Sequence, residues 1–281
     1  MNYRHAFHAG NHADVFKHVV LLGLMAALKR KESAFFALDT HAGRGSYALD
    51  SAASKKTQEA EAGIRKLLKA GLRGNPLISH YLAAVRGRNS GQTVDTYPGS
   101  PLLLAGALRE QDRLACCELQ PEEANVLKSL LRDDSRVGVH ERDGYAALNA
   151  LLPPKEKRGL VLIDPPYEAQ LAEFDTIMPA LRSALERWPT GMFALWYPIK
   201  RRRALQPFYR RATDLPAKQV LIAELLVRPD DSPLRMNGSG MILVNPPWQF
   251  NDELATALPL LCKVLDEGGG SCHVDWLKAE R

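Results

Sequence analysis

Seven short apolar runs, each closed by polar or turn residues, punctuate the chain: AFFALD (34–39), LACCEL (114–119), SRVGVH (135–140), GLVLID (159–164), GMFALWY (191–197), VLIAELLV (220–227) and GMILVN (240–245). A strand covered on both faces reads as a continuous apolar run rather than an alternating one. Helix-like stretches such as PEEANVLKSLLRD and FDTIMPALRSALERW lie between most of them. Strands alternating with helices predict an α/β fold around a mainly parallel sheet. About seven strands suit one doubly wound, Rossmann-like domain over residues 1–281 better than two domains.

One interval breaks the rhythm. After AFFALDTHAGRGSYAL no second strand arrives until residue 114, and the intervening segments are polar and helix-like. Residues 50–96 therefore read as a small helical insertion within the sheet domain. The delayed crossover helix then begins in YPGSPLLLAGALREQD (97–112), with Ser100 as the N-cap and Pro101 at the first helical position.

The formal charge of +5 and pI near 9.0 lean towards an anionic partner. Four cysteines form no C-x-x-C pair, which predicts free thiols in a reducing cytosol. Cys116 and Cys117 should point to opposite faces of their strand. The opening MNYRHAFHAGNHAD has no apolar signal core, and no stretch of 18 apolar residues exists. The expectation is a cytoplasmic protein with no membrane association.

In open α/β sheets the ligand lies beyond the carboxyl ends of the strands. Collecting those ends gives Asp39, Glu118, Asp143 with Gly144 beside it, and Asp164. Gly43 and Gly45 in THAGRGSYA permit positive φ and close backbone approach. Their G-x-G-x-x-A spacing also matches a dinucleotide fingerprint, whose acid would fall near Glu59 or Glu61, in a polar helical stretch. The acid that ends the second strand is Glu118, suited to accept from two ribose hydroxyls. An acidic lining favours a sulfonium over a pyrophosphate, which points to S-adenosylmethionine (AdoMet). Singly, each acid is more often a solvated strand end than a ligand; four in sheet order shift the reading towards AdoMet.

The fourth run ends in LIDPPYE. Prolines cannot donate to a ladder, so the strand must stop there. An exocyclic adenine amine is a poor nucleophile, because its lone pair is delocalised into the ring. Asp164 and the carbonyl of Pro165 could both accept hydrogen bonds from that amine and favour a pyramidal nitrogen. The prolines hold the acceptors with little reorganisation, and Tyr167 offers a face for an extruded base. D-P-P-Y is an amine-methylation signature; the bland alternative is a strand-ending turn with a chance acid. A second copy, Asn245-Pro246-Pro247-Trp248, follows the seventh run, and sheet order makes it structural.

On these motifs the chain resembles the ribosomal RNA large subunit methyltransferase J family (RlmJ type). The resemblance rests on YRHAFHAGNHADVFKH, LDTHAGRGSY, YPGSPL, Glu118, the RDG strand end, LIDPPYE, ALWYP and SGMILVNPPW, and spans nearly the whole chain. It implies a Rossmann-like, class I AdoMet-dependent methyltransferase domain with a small helical insertion. It also implies methylation of the exocyclic amine of an adenine in 23S ribosomal RNA, free or only partly assembled. Carried over by motif, His18, His41, Ser100, Glu118, Asp143, Gly144 and Asp164 would line the AdoMet pocket, and Tyr3 would contact RNA.

His5, His8, His12 and His18 share one segment, but none has metal-ligand spacing and no acid or cysteine cluster joins them, so no metal is expected. PIKRRRALQPFYRRAT (198–213) carries Lys200, Arg201, Arg202, Arg203, Arg210 and Arg211 interleaved with aromatics. It reads as a solvated face or as a phosphate-contacting surface beside the base pocket. Rival functions remain. A DNA adenine methyltransferase would share DPPY but need a larger target-recognition region. A protein glutamine methyltransferase would favour N-P-P-Y at the fourth strand, and a non-catalytic RNA-binding module would not need the strand-end acids.

Overall fold

The computed structural model describes residues 7–91, 93–167, 170–233 and 236–279. Its centre is a sheet built from β1 (Phe36–Asp39), β4 (Arg113–Glu118), β5 (Val137–Glu141), β6 (Gly159–Ile163), β7 (Met192–Ile199), β8 (Val220–Leu226), β9 (Gly238–Val244) and β10 (Ser271–Lys278). The spatial order is β10-β8-β9-β7-β6-β1-β4-β5. Pairing is parallel from β5 through β7 and antiparallel for β7–β9, β9–β8 and β8–β10.

The strand count is eight rather than seven. The missed strand, β10, is a half-exposed edge strand, whereas β6, β8 and β9 are buried at every position. A fully covered strand leaves a continuous apolar run, and a half-exposed one need not.

Helices cover both faces. On one lie α1 (His12–Lys29), α4 (Pro76–Arg86), α5 (Ser100–Ala107) and α10 (Phe250–Leu265); on the other lie α7 (Gly144–Leu151), α8 (Gln170–Arg187) and α9 (Gln206–Thr213). Cys116 and Cys117 pack in these two separate cores, as strand alternation requires.

Fifteen of the 18 residues of α1 are buried, so this helix runs through the protein with almost no wet face. Its N-cap is Asn11, whose side chain accepts from the Asp14 amide at 2.9 Å.

Between β1 and β4 the chain forms an antiparallel ribbon of β2 (Ser46–Ala48) and β3 (Thr96–Pro98). Within that interval sit α2 (Ala52–Thr57), a π-helical turn (Glu61–Arg65), α3 (Lys66–Ala70) and α4. The segment is tied to the chain before α1: the Ile64 amide donates to the Gly10 carbonyl at 2.8 Å, and Glu59 accepts from Asn11 and bonds His8, each at 2.9 Å. The expected cap of α5 needs correction. Gly99 is the N-cap, Pro101 lies in the first turn, and buried Ser100 bonds the Asp39 carboxylate instead of capping.

Candidate active site

The strand-end acids converge at the carboxyl edge of the parallel strands, around two hollows. The smaller, about 180 Å³, is lined by His41, Glu118, Asp143, Gly144, Pro166 and Glu173, among others. Among the described residues its lining holds three carboxylates and no lysine or arginine. Glu118 is held by two backbone amides: Gly43 donates to Oε2 at 2.8 Å and Gln120 to Oε1 at 2.7 Å. Gly43 adopts φ +61°, the left-handed geometry that turns its N–H to the carboxylate. Each oxygen keeps a lone pair for a hydroxyl.

Asp143 caps α7, accepting from the Ala146 amide at 2.8 Å. A side chain at Gly144 would meet the Thr40 carbonyl at 2.3 Å, so only glycine lets that turn close on the β1 loop. His41 is half-buried, and desolvation pushes its pKa down to about 4, leaving the ring neutral at ordinary pH. Arg44 grips Glu123 with two hydrogen bonds, 2.8 and 2.9 Å, fastening the glycine loop to α6 (Pro121–Leu131).

The larger cavity, about 620 Å³, is lined by Asp164, Pro165, Tyr167, Trp196, Lys17 and His12, with Lys200 and Arg228 further round. Pro166 lines both hollows. The Asp-Pro-Pro-Tyr turn is therefore the partition between them.

Asp164 binds the ammonium of Lys17 through Oδ2 at 2.5 Å, and Asp14, one turn earlier on α1, takes the same ammonium at 2.9 Å. Burial penalises the charge on Lys17, but the two carboxylates outweigh it and hold the lysine pKa above its usual value. Asp164 Oδ1 makes no hydrogen bond among the described residues, which leaves one acceptor open. Lys17 also sits 5.7 Å from the centre of the Trp196 ring.

Tyr167 has φ +31°, strained for a bulky residue. Its hydroxyl donates to the Trp196 carbonyl at 2.6 Å, and its ring meets Trp196 and Phe174 edge-on, 5.6 Å from each. The strained turn is thus pinned from outside.

Of the residues named from sequence, His41, Glu118, Asp143 and Gly144 line the smaller pocket, and Asp164, Pro165, Tyr167 and Lys200 the larger. Gly43 acts through its amide. His18 and Ser100 appear in neither wall: His18 is buried against Tyr97, 2.7 Å from its hydroxyl, and Ser100 lies beneath, at Asp39. Tyr3 falls outside the described residues.

The basic run divides. Arg201, Arg203 and Arg210 are exposed. Arg202 departs from the phosphate-binding expectation, because its Nε lies 2.7 Å from Glu224, a fully buried carboxylate that also accepts from Tyr197 and Tyr209. Arg211 pairs with Asp175.

Asn245 has φ +52°, and its amide donates to the carbonyls of Pro189 and Gly191 at 2.9 Å each. Because β9 runs antiparallel to β7, this second motif emerges at the opposite edge of the sheet from Asp164. Among the described residues no group of three or more His, Cys, Asp or Glu side chains is placed to hold a metal ion, and no helix is long and apolar enough to cross a membrane.

Sequence reasoning overlooked Lys17, Asp14, Trp196 and Arg228. In sequence the first two read as an ordinary i,i+3 pair on a solvated helix start, so nothing there marked them as buried.

A protein-family model described as "Ribosomal RNA large subunit methyltransferase D, RlmJ" matches residues 32–278. The chain belongs to this family. The protein named ribosomal RNA large subunit methyltransferase J in Haemophilus influenzae is 41% identical, and its namesake in Escherichia coli K12 is 38% identical; both alignments cover 100% of each chain. A crystal structure of a Legionella pneumophila protein superposes with a TM-score of 0.87 at 37% identity, covering 96% of this chain and 98% of the other. The chain is an enzyme, an AdoMet-dependent methyltransferase.

Proposed function

We propose that the enzyme methylates the exocyclic amine of a specific adenine in 23S ribosomal RNA, with RNA that is free or only partly assembled as substrate. The observation that carries this reading is the Asp-Pro-Pro-Tyr turn set as a partition, with an acidic pocket on one side and an aromatic cavity on the other.

The residues of the smaller pocket fit AdoMet. Glu118 retains acceptors for ribose hydroxyls, and the carboxylate-rich lining suits a cation. Bound there, AdoMet supplies an electrophilic methyl group on a sulfonium.

On the other side, Asp164 Oδ1 and the Pro165 carbonyl accept from the amine N–H groups. Losing planarity, the nitrogen presents its lone pair across the partition. Lys17 donates to Oδ2 of Asp164, which leaves Oδ1 as the oxygen that accepts from the amine. Tyr167 and Trp196 give the extruded base an aromatic wall. Unpaired or loop adenines are cheaper to extrude than paired ones, which favours stripped over fully assembled RNA.

The test is single-turnover transfer from labelled AdoMet to protein-free ribosomal RNA, followed by nucleoside mass spectrometry. N6-methyladenine is expected in 23S RNA. Asp164→Ala should lose on the order of 10²-fold in turnover while retaining most AdoMet affinity. Methyl transfer to DNA or protein instead, or undiminished turnover in Asp164→Ala, refutes the reading.

A further inference from the structure

The cavity beside Asp164 is large enough for a whole nucleotide rather than a bare base. A nucleotide brings a phosphodiester, and most of the nearby cations are already committed. Lys17 is shared by Asp14 and Asp164. Arg202 serves Glu224, and Arg211 serves Asp175. Burial and the nearby Arg228 charge push His12 down to about 4, so its ring is neutral.

Among the described residues two further cations line the cavity, Lys200 after β7 and Arg228 after β8. The guanidinium of Arg228 is anchored on one side: Nη1 donates to the Met236 carbonyl at 3.0 Å and Nη2 to Glu267. Glu267 is itself fixed, its amide donating to the Val227 carbonyl at 2.8 Å. A guanidinium has five N–H donors, and these contacts use two. A purely structural arginine would be sunk with its partner, yet both side chains are 24% exposed at a cavity wall. An arginine fixed in this way is pre-organised for an oxyanion, since little side-chain freedom is lost on contact.

We propose that Arg228, together with Lys200, forms a subsite for the phosphodiester of the target nucleotide, and so holds the extruded adenine against Asp164. The inference rests on the RNA methyltransferase reading above. It moves the central phosphate contact off the arginine run and onto the end of β8.

The test compares Arg228→Gln, Arg228→Lys and Glu267→Gln with the wild type, using protein-free ribosomal RNA and labelled AdoMet. KM for RNA and its salt dependence are measured, with AdoMet affinity by calorimetry as the control for folding. Arg228→Gln should raise the RNA KM roughly ten- to a hundredfold. It should also flatten the slope of log affinity against log salt by about 0.7, with AdoMet affinity unchanged. Arg228→Lys should restore the slope and part of the KM. Glu267→Gln keeps the cation and removes its neutralising partner, so it should bind RNA more tightly than wild type. If Arg228→Gln and Glu267→Gln instead fail alike with an unaltered salt slope, Arg228 is only a strut between β8 and the turn before β10. No methylation of ribosomal RNA by the wild type would overturn the substrate reading first, and the subsite with it.

Discussion

Replacing Lys17 by methionine keeps the aliphatic stem and deletes the ammonium that Asp14 and Asp164 share. The side chains of the three are 6%, 3% and 14% exposed, so neither carboxylate can recover its hydration without distorting the start of α1. Breaking a buried pair by removing one partner costs about 3–5 kcal/mol, because the remaining charge is stranded. Here two carboxylates are stranded, one of which also receives the Gly10 amide at 2.9 Å. A loss at the upper end, about 5 kcal/mol, follows, measurable as a lowered urea midpoint with an unchanged slope.

Catalysis should report the same charge through a different observable. Without the ammonium, Asp164 loses the donor that fixes its carboxylate, and Oδ1 is no longer held towards the amine. Turnover on ribosomal RNA should then fall while AdoMet affinity in calorimetry is retained. Lys17→Met combined with Asp14→Asn, which removes one stranded charge, should regain stability without regaining turnover at neutral pH. A Lys17→Met enzyme within about 1 kcal/mol of wild type, with undiminished turnover, refutes the argument that this lysine fixes Asp164.

Glu118→Ala should weaken AdoMet binding by roughly 1.5–3 kcal/mol in calorimetry, while RNA affinity without AdoMet stays as it was. Arg202→Ala strands the buried Glu224 and should cost up to about 3 kcal/mol in denaturant unfolding, the partial exposure of Arg202 holding the loss below that of a fully buried pair. Its RNA salt slope should remain that of wild type. Asp39 is buried, and burial raises its pKa from 3.8 to about 7, so the folded state binds its proton more tightly than the unfolded chain does. Stability from this group is therefore full below pH 3.8 and lost as pH rises towards 7, by at most about 4 kcal/mol. Asp39→Asn should flatten that fall, so urea unfolding at pH 4 and pH 8 must diverge less in the variant.

Most of the strands legible in sequence were buried on both faces, because burial leaves a continuous apolar run whatever the topology; β5, an edge strand with no buried position, was legible only through its short V-G-V stretch. β10 escaped because an edge strand with half-exposed positions carries no such run, and β2 and β3 escaped because three residues are too few for any period to register. The acids at strand ends were legible for a related reason: a charge directly after an apolar run marks where the chain leaves the sheet, and parallel strands leave it at one edge. The polar residues of α1 were illegible. His12, Asp14, Lys17 and His18 sit in a helix that is buried all round, and no periodicity tells a buried ion pair from a solvated one. The arginine run misled in the opposite sense. Arg202 looks like its neighbours in sequence, yet Glu224, on a strand 22 positions away, claims it.

The partition explains why the motif must be rigid as well as acidic. Pro166 touches both hollows, so any rotation of the turn would move the acceptor and the pocket wall together. Two prolines restrict two φ angles, and Tyr167 at φ +31° would relax if its hydroxyl were not bonded to the Trp196 carbonyl on the adjoining strand. Strain at Tyr167 is thus opposed by a hydrogen bond into β7, the strand that also brings Trp196 and Lys200 to the cavity. The second motif shows what the same residues do without such a partition. At Asn245 the amide is spent on two loop carbonyls, no cavity adjoins it among the hollows described, and Trp248 is 80% exposed. Two prolines after a strand make a stiff corner in both places. Only where that corner stands between an acidic pocket and an aromatic cavity, with a lysine bound to its carboxylate, does stiffness become a means of aiming a lone pair.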